Sequence, residues 1–225
     1  MKEYTTVFID LDQTLYPLTC GIWEDVAGRI DLFLHDQLGV NLDEAARLRQ
    51  RFHKSYGTTL RGLQQEMEVD PIAYMKFIHD VPIETKISID PALQTLLESI
   101  QISKYIFTNA SFDHARRVLT HLGVMHQFDG IIDILSLAYV NKPDPRAYLI
   151  ALELAGNPTA GHCVLVDDSP QNLAGGSAIG MTTVQVGENR EPDFKPDFLI
   201  PSILELLDVL PELGNTHPAF EPRDE

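Results

Sequence analysis

The chain is short of cysteine, of positive charge and of long apolar runs, and each shortage excludes a class of protein. Its 225 residues include only Cys20 and Cys163, too few for a disulfide framework. No apolar run reaches the roughly eighteen residues that a membrane span requires, so we expect no membrane partner. Lys and Arg number 17 against 33 Asp and Glu, and the formal charge of −16 would repel nucleic-acid polymers. A small phosphorylated substrate is compatible with this charge, because a local cation can attract it.

The composition is that of a globular protein. Apolar residues make up 44% of the chain, enough for a sizeable buried core. The opening residues Met-Lys-Glu-Tyr lack the apolar stretch of a secretory signal. With so few cysteines, the expected location is the reducing cytoplasm.

Short apolar runs alternate with helical segments over most of the chain. This alternation is typical of an α/β fold, in which helices cover a parallel sheet in three Rossmann-like layers. Near the end, Phe198 begins a strand-like turn that leads into a last helix. We predict strands near 5–10, 103–108, 130–134, 162–167 and 181–186, and helices over Pro91–Ile100, Phe112–Leu122, Pro145–Ala155 and Pro170–Ile179.

One long segment interrupts this alternation. From about residue 18 to residue 88 the apolar periodicity is helical, which predicts helices over Ile22–Leu38, Leu42–Ser55, Leu60–Met67 and Pro71–Ile78. Helices inserted just after the first strand would form a lid over its carboxyl end, or would pack rigidly on the core. We therefore divide the chain into a core of residues 1–17 and 89–213, a helical cap of residues 18–88 and a flexible tail of residues 214–225.

Two carboxylates, two residues apart, follow the first predicted strand. The run Val7–Leu15 reads Val-Phe-Ile-Asp-Leu-Asp-Gln-Thr-Leu, so Asp10 and Asp12 lie where a parallel sheet presents its chemistry. Burying two acids beside apolar side chains is costly without a compensating cation or proton. Oxygen ligands without thiols suit Mg²⁺. Taken alone, acids at this spacing also occur at ordinary turns and solvated faces.

Three further elements follow in a fixed order: Thr108-Asn109 after an apolar run, Lys142 before a proline, and Asp167-Asp168 after another apolar run. With the first pair of acids, this set resembles the four motifs of the haloacid dehalogenase superfamily of phosphatases. The resemblance extends from Thr5 to about Leu210 and implies the α/β core, with a helical cap of the first subclass closing over small substrates. Gln13 departs from the family pattern, in which Gly or Asn is usual. Asp12 argues against dehalogenation, because dehalogenases lack this second carboxylate.

The chemistry of phosphate transfer suggests a role for each acid. At its strand end, Asp10 can attack phosphorus and form an aspartyl-phosphate. Asp12 can protonate the leaving oxygen and later activate water. Adjacent carboxylates at Asp167 and Asp168 repel each other, which favours a cation beside them. The resemblance implies a Mg²⁺ bound by Asp10, by the main-chain carbonyl of Asp12 and by Asp168, with Asp167 binding directly or through water.

The remaining motif residues suit an anion. The Thr108 hydroxyl and the amides of Asn109 and Ala110 can cradle a phosphate, although the same residues also suit an ordinary helix cap. Lys142 would hold the phosphoryl oxygens and steady the nucleophile. Without the other motifs it would be interpreted as a surface lysine.

The substrate prediction rests on the resemblance. Several segments are similar to the pyrimidine 5′-nucleotidase branch of the superfamily, which acts on UMP and CMP: Trp23-Glu24, Tyr56-Gly57, Leu60–Leu63, Phe107–Ala110 and the run from His114 to Leu119. Arg61 and Tyr56 are the candidates for touching the nucleoside, but a solvated Arg and a core Tyr fit equally well. Neighbouring branches hydrolyse sugar phosphates or phosphoglycolate. The same fold could also support a phosphosugar mutase or a non-catalytic binding protein.

Overall fold

A six-stranded parallel sheet lies at the centre of the computed structural model, which describes residues 3–188 and 193–214. The strands are β1 (Thr6–Ile9), β2 (Ser103–Phe107), β3 (Gly130–Ile132), β4 (Cys163–Asp167), β5 (Thr182–Val186) and β6 (Phe198–Ile200). They lie in the order β3-β2-β1-β4-β5-β6, and every neighbouring pair is parallel. The predicted parallel sheet is confirmed, and β1 lies between β2 and β4.

Of the α-helices that lie between β1 and β2 along the chain, the first four are called the helical insertion below. They are α1 (Ile22–Leu38), α2 (Leu42–Tyr56), α3 (Thr59–Glu66) and α4 (Pro71–Ile78). The apolar periodicity predicted all four to within one residue at each end. Their buried side chains, such as Phe33 and Phe52, belong to the same apolar cluster as one face of the sheet. The division into core and cap at residues 18 and 88 stays a prediction.

Five further helices complete the three layers: α5 (Pro91–Ser99), α6 (Phe112–Leu122), α7 (Pro145–Leu154), α8 (Pro170–Ala178) and α9 (Leu206–Val209). Helices α5, α6 and α9 pack on the sheet face that carries Val7 and Ile9. Helices α7 and α8 pack on the opposite face, against Phe8. Successive side chains of β1 point to opposite faces, and all four are buried. Both faces of the sheet are therefore covered at this strand.

The core helices begin where the sequence signals place them. The Asp90 carboxylate accepts the N–H of Ala92 at 3.0 Å, and α5 starts with Pro91. The Asp144 carboxylate caps α7 in the same way. An acceptor before the first turn satisfies N–H groups that have no partner inside the helix, and the proline there has no N–H to satisfy.

Two strands differ from the predictions. Strand β3 ends at Ile132 rather than 134, because the Asp133 carboxylate turns to accept the N–H groups of Ser136 and Phe112, each at 3.0 Å. The strand-like turn at Phe198–Ile200 is a full strand that pairs with β5.

Two predictions concern the chain end and the membrane. The predicted tail lies outside the described residues except for Gly214. Among the helices of the described ranges, none combines the length and the apolar character needed to cross a membrane.

Candidate active site

Three carboxylates meet at the carboxyl end of two adjacent strands. Asp10 follows β1, while Asp167 ends β4 and Asp168 comes directly after it. One carboxylate oxygen from each of the three lies within 4.8 Å of the others. The parallel register of β1 and β4 aligns their ends, so residues more than 150 positions apart in sequence are brought together.

Lys142 is fully buried behind Asp10 and is no surface lysine. Its ammonium group donates to Asp10 Oδ1 at 2.8 Å, to Asp167 Oδ2 at 2.6 Å and to the Phe107 carbonyl at 2.7 Å. Burial alone would lower the pKa of Lys142, but the two carboxylates outweigh it and raise the pKa. The three hydrogens of the ammonium group are all donated within the protein, so Lys142 steadies the predicted nucleophile. The contact of Lys142 with a phosphoryl group stays a prediction.

Asn109 and Asn141 hold the main chain of Lys142. Asn109 Oδ1 accepts the Lys142 N–H at 2.8 Å, and Asn109 Nδ2 donates to the Lys142 carbonyl at 3.1 Å. Asn141 Nδ2 also donates to this carbonyl, at 2.6 Å, and to the Tyr56 carbonyl of the helical insertion at 3.1 Å. The side chain of Asn109, a predicted phosphate-binding residue, therefore braces the loop that carries Lys142, which is called the lysine loop below.

The two aspartates after β4 have different surroundings. Asp167 is fully buried, and besides Lys142 it accepts bonds from the Ser169 N–H at 2.9 Å and from Asn172 Nδ2 at 3.0 Å. Asp168 is only partly buried and lines the cavity over the site. The bonds of Asp167 occupy both of its oxygens, which favours Asp168 as the direct metal ligand.

The site carries more negative charge than Lys142 balances. Burial, opposed by Lys142 and reinforced by neighbouring carboxylates, raises the pKa of Asp10 to about 7. Burial and the adjacent Asp167 raise the pKa of Asp168 to about 8. A divalent cation between these oxygens would favour their ionised forms. The all-oxygen donor set and the excess charge thus fit Mg²⁺.

Asp12 is held by two donors on a single oxygen. The Tyr16 hydroxyl donates to Oδ1, and His114 Nε2 lies 2.9 Å from the same atom. Burial raises the pKa of Asp12, but the contacts with His114 and Tyr16 outweigh it and lower the pKa to about 2. A phosphate dianion beside Asp12 would push this pKa upward again, because like charges disfavour ionisation.

The loop after Asp10 and the end of β2 complete the floor of the site. Gln13 adopts a left-handed conformation with φ 66°, which explains why Gly or Asn is usual here. Thr14 Oγ1 donates to Asp10 Oδ2 at 3.3 Å and so helps to hold the predicted nucleophile. Thr108 Oγ1 accepts the Ala110 N–H at 3.0 Å, which leaves the hydroxyl proton available to an anion.

A cavity of about 1200 Å³ opens above these residues. Its lining joins the strand ends, including Asp10, Asp12 and Asp168, to the helical insertion. Both predicted nucleoside contacts, Tyr56 and Arg61, line it as well. The Tyr56 hydroxyl donates to Glu66 at 3.0 Å, so its ring is the part available to a substrate. Lys142 and Asp167 form the buried part of the floor and do not line the cavity.

A profile of the haloacid dehalogenase-like hydrolases matches residues 4–180. The chain belongs to this family. The resemblance inferred from the four motifs is confirmed at this level, and the likeness to the pyrimidine 5′-nucleotidase branch stays a prediction.

Relatives of this family member carry phosphate-related names. Phosphate metabolism protein 8 of Saccharomyces cerevisiae is 28% identical over 188 residues, which are 77% of this chain and 59% of the yeast protein. The chain thus spans less than two thirds of that relative. The glyceraldehyde 3-phosphate phosphatase of Methanopyrus kandleri is 26% identical over 229 residues, covering 92% of this chain and 97% of the relative.

Solved structures share the fold. The magnesium-bound hydrolase YfnB of Bacillus subtilis superposes with a TM-score of 0.64 at 20% identity, covering 93% of this chain and 99% of YfnB. At 20% identity, this likeness supports only the α/β fold of the chain and no shared activity.

Several residues around the site were not predicted from the sequence. Tyr16, Asn141 and Asn172 each contact a motif residue and lie within five positions of it in the sequence. His79, at the end of the helical insertion, stacks on the ring of His114. Proximity to a motif was the signal available for the first three; nothing in the sequence relates His79 to the site.

Proposed function

We propose that this hydrolase is a Mg²⁺-dependent phosphomonoesterase whose substrate is a pyrimidine nucleoside 5′-monophosphate. One observation carries the proposal of phosphatase chemistry: Asp10 and Asp12 line the same cavity, and a buried lysine holds Asp10 from behind. In-line phosphoryl transfer requires a nucleophile on one side of phosphorus and an acid–base group that reaches the leaving oxygen on the other side, and this cavity presents a candidate for each role. The relatives named for phosphate chemistry support this reaction class.

In the first step, a carboxylate oxygen of Asp10 attacks phosphorus and the ester P–O bond breaks. The leaving oxygen takes a proton from Asp12, and an aspartyl-phosphate remains. Lys142 keeps the attacking carboxylate oriented through its bond to Oδ1. The Thr108 hydroxyl can donate to a phosphoryl oxygen.

In the second step, Asp12, now ionised, removes a proton from water, and the water oxygen attacks phosphorus. The acyl-phosphate bond breaks, which releases inorganic phosphate and restores both carboxyl groups to their starting forms. Asp10, Asp168 and the main-chain carbonyl of Asp12 would hold Mg²⁺. When bound, this ion supplies positive charge that offsets the charge of the transferring phosphoryl group.

The cavity of about 1200 Å³ exceeds the roughly 300–1,000 Å³ of ordinary ligand pockets, so it has room for a substrate as large as a nucleotide. Arg61 and the ring of Tyr56, both on its wall, would contact the nucleoside. A phosphatase for a sugar phosphate or another small ester is the second candidate, favoured by the glyceraldehyde 3-phosphate phosphatase relative.

Phosphate release from a panel of esters tests the proposal. UMP, CMP, AMP, glucose phosphates, phosphoglycolate and p-nitrophenyl phosphate are compared with Mg²⁺ and with EDTA. We expect metal-dependent turnover led by UMP and CMP. Asp10→Asn, which keeps the size but removes the attacking charge, should abolish release. Asp36→Asn, at an exposed position of α1, is the matched control and should be fully active.

The remaining outcomes distinguish the candidate functions. Preference for a sugar phosphate or phosphoglycolate would keep the mechanism and replace the substrate. Isomer interconversion with little phosphate release would indicate a mutase. Activity that survives in Asp10→Asn would overturn the covalent mechanism, and inactivity on every ester would favour a binding protein.

A further inference from the structure

The carboxylate of Asp12 accepts more hydrogen bonds from the protein than its partial burial requires. Its side chain is 28% exposed, so water could solvate it, yet two side chains donate to it from inside the protein. Tyr16, four residues along the same loop, supplies a hydroxyl, and His114 approaches from α6. Both bonds end on Oδ1.

The two bonds to Oδ1 decide which oxygen exchanges a proton. A carboxylate accepts and a phenol beside it donates, so the Nε2 of His114 carries the hydrogen of its bond. With Oδ1 occupied by two donors, the proton that Asp12 gives to a leaving group is carried on Oδ2. The rotation of the carboxylate about its χ2 angle is fixed at the same time, because Tyr16 and His114 approach from different elements.

A histidine at position 114 destabilises the fold more than a residue that only filled the core would. Its side chain is 1% exposed, and its Nδ1 has no hydrogen-bond partner among the described residues. A buried polar atom without a partner destabilises the fold, and an aliphatic side chain in this position would avoid that penalty. The bond from Nε2 to Asp12 is therefore what this histidine provides that Leu would not.

A second histidine fixes the plane of the first. The His79 ring stacks on the His114 ring with centroids 4.3 Å apart and planes 20° apart. His79 is itself anchored, with Nδ1 2.9 Å from Ser111 Oγ and its carbonyl accepting from Arg117 at 3.0 Å. Since His79 ends the helical insertion, the orientation of His114 depends on how the insertion is seated on α6.

We propose that His114, together with Tyr16, is a positioning residue that locks the carboxyl group of Asp12 with Oδ2 facing the leaving oxygen of the substrate. This inference rests on the proposed phosphatase function. It predicts that loss of the lock harms proton donation to the leaving group far more than it harms nucleophilic attack.

Esters whose leaving groups differ in basicity distinguish a loss of proton donation from a loss of nucleophilic attack. An alkyl ester such as UMP leaves as a basic alkoxide that needs the proton, whereas p-nitrophenolate leaves without one. The measured quantity is kcat/KM, which covers the steps up to formation of the aspartyl-phosphate and excludes the later attack of water. If another alkyl phosphate is the best substrate in the panel, it replaces UMP.

His114→Leu should lower kcat/KM for the alkyl ester about tenfold or more and for p-nitrophenyl phosphate less than about threefold. His114→Gln, whose amide N–H can reach the position of Nε2, should restore most of the loss on the alkyl ester. His121→Leu removes a partly exposed histidine from the last turn of the same helix, where it lies 3.6 Å from Glu84 and does not contact Asp12, and should leave both values unchanged.

A second variant keeps the test decisive if His114→Leu does not fold. Tyr16→Phe removes only the other donor to Oδ1, and it should produce the same selective loss on the alkyl ester. Equal losses on the two esters, or no loss on either in His114→Leu and Tyr16→Phe, would overturn the inference and leave the phosphatase function standing. Absence of phosphate release from every ester by the unaltered protein would instead overturn the proposed function, and the inference with it.

Discussion

The floor of the site and the wall above it are built in opposite ways. On the floor, Lys142, Asp10 and Asp167 are at least nine-tenths buried and joined by short ionic hydrogen bonds. On the wall, Arg61 and Tyr56 are partly exposed and belong to the helical insertion. The groups proposed to break the bond are therefore held rigidly, while those proposed to choose the substrate are free to adapt. In the proposed function, the groups for reaction and those for selectivity therefore lie in separate parts of the fold.

The two regions meet at a tightly packed contact. Gly57 ends α2 and lies against the loop that carries Lys142, so that a Cβ atom there would come within 2.8 Å of both Asn141 and Pro143. The position of the insertion is thereby related to the position of the lysine loop. Substitutions at four positions can break or sharpen the contrast between floor and wall.

The largest effect is expected on the floor, at Lys142. Lys142→Met leaves Asp10 and Asp167 buried without their cation, which should lower the free energy of unfolding by about 3–5 kcal/mol. The loss of an oriented nucleophile should also reduce kcat about a hundredfold or more. Urea unfolding and phosphate release measure the two effects. Lys76→Met, on the exposed side of α4, is the control, and a floor variant as stable as this control would contradict the contrast.

The next effect is expected at the contact between the regions. Gly57 and Gly39 both end helices with left-handed φ values of 81° and 68°, but nothing lies within 4 Å of a Cβ at Gly39. Gly39→Ala should therefore cost only the backbone strain, about 1–2 kcal/mol. Gly57→Ala adds a clash worth about 1–3 kcal/mol more.

Comparison of unfolding free energies and kcat/KM for these two glycine variants isolates the contact. Gly57→Ala should also lower kcat/KM, because relief of the clash moves Asn141 or the insertion. Equal behaviour of the two variants would mean that the insertion and the lysine loop move independently.

A smaller effect, confined to substrate binding, is expected on the wall. Arg61→Ala should raise KM for UMP about tenfold, the size expected for one lost hydrogen bond to a polar group. The value of kcat should stay within about twofold, since Arg61 is not among the reacting groups. Arg47→Ala, an exposed arginine outside the cavity, supplies the baseline. A drop in kcat with unchanged KM would move Arg61 to the chemical step.

The smallest effect is expected at the Tyr56 hydroxyl. Because this group donates to Glu66, Tyr56→Phe should change KM for UMP less than about twofold. Tyr56→Ala removes the ring and should raise KM further than Tyr56→Phe does. If both variants bind UMP like the unaltered protein, Tyr56 is a wall residue without a substrate contact.

Much of the fold was predictable because local sequence encodes it. Buried parallel strands require continuous apolar runs, such as the one before Asp10, and amphipathic helices require apolar positions at helical spacing, as in Ile22–Leu38. Both patterns depend on near neighbours in the chain. The misjudged end of β3 had a different cause, since Asp133 ends the strand by bonding to an amide of α6, 21 residues earlier.

The sequence by itself determined the order of strands and helices along the chain. It also determined which strands end just before Asp10, Thr108 and Asp168. Only the tertiary structure decided which atoms of these residues are occupied. The bonds of Lys142 to Asp10 and of His114 to Asp12 join residues more than 100 positions apart. A residue's type fixes the charge and the hydrogen bonds it can offer, but the partner it meets depends on how the sheet aligns its strands and where the helices pack.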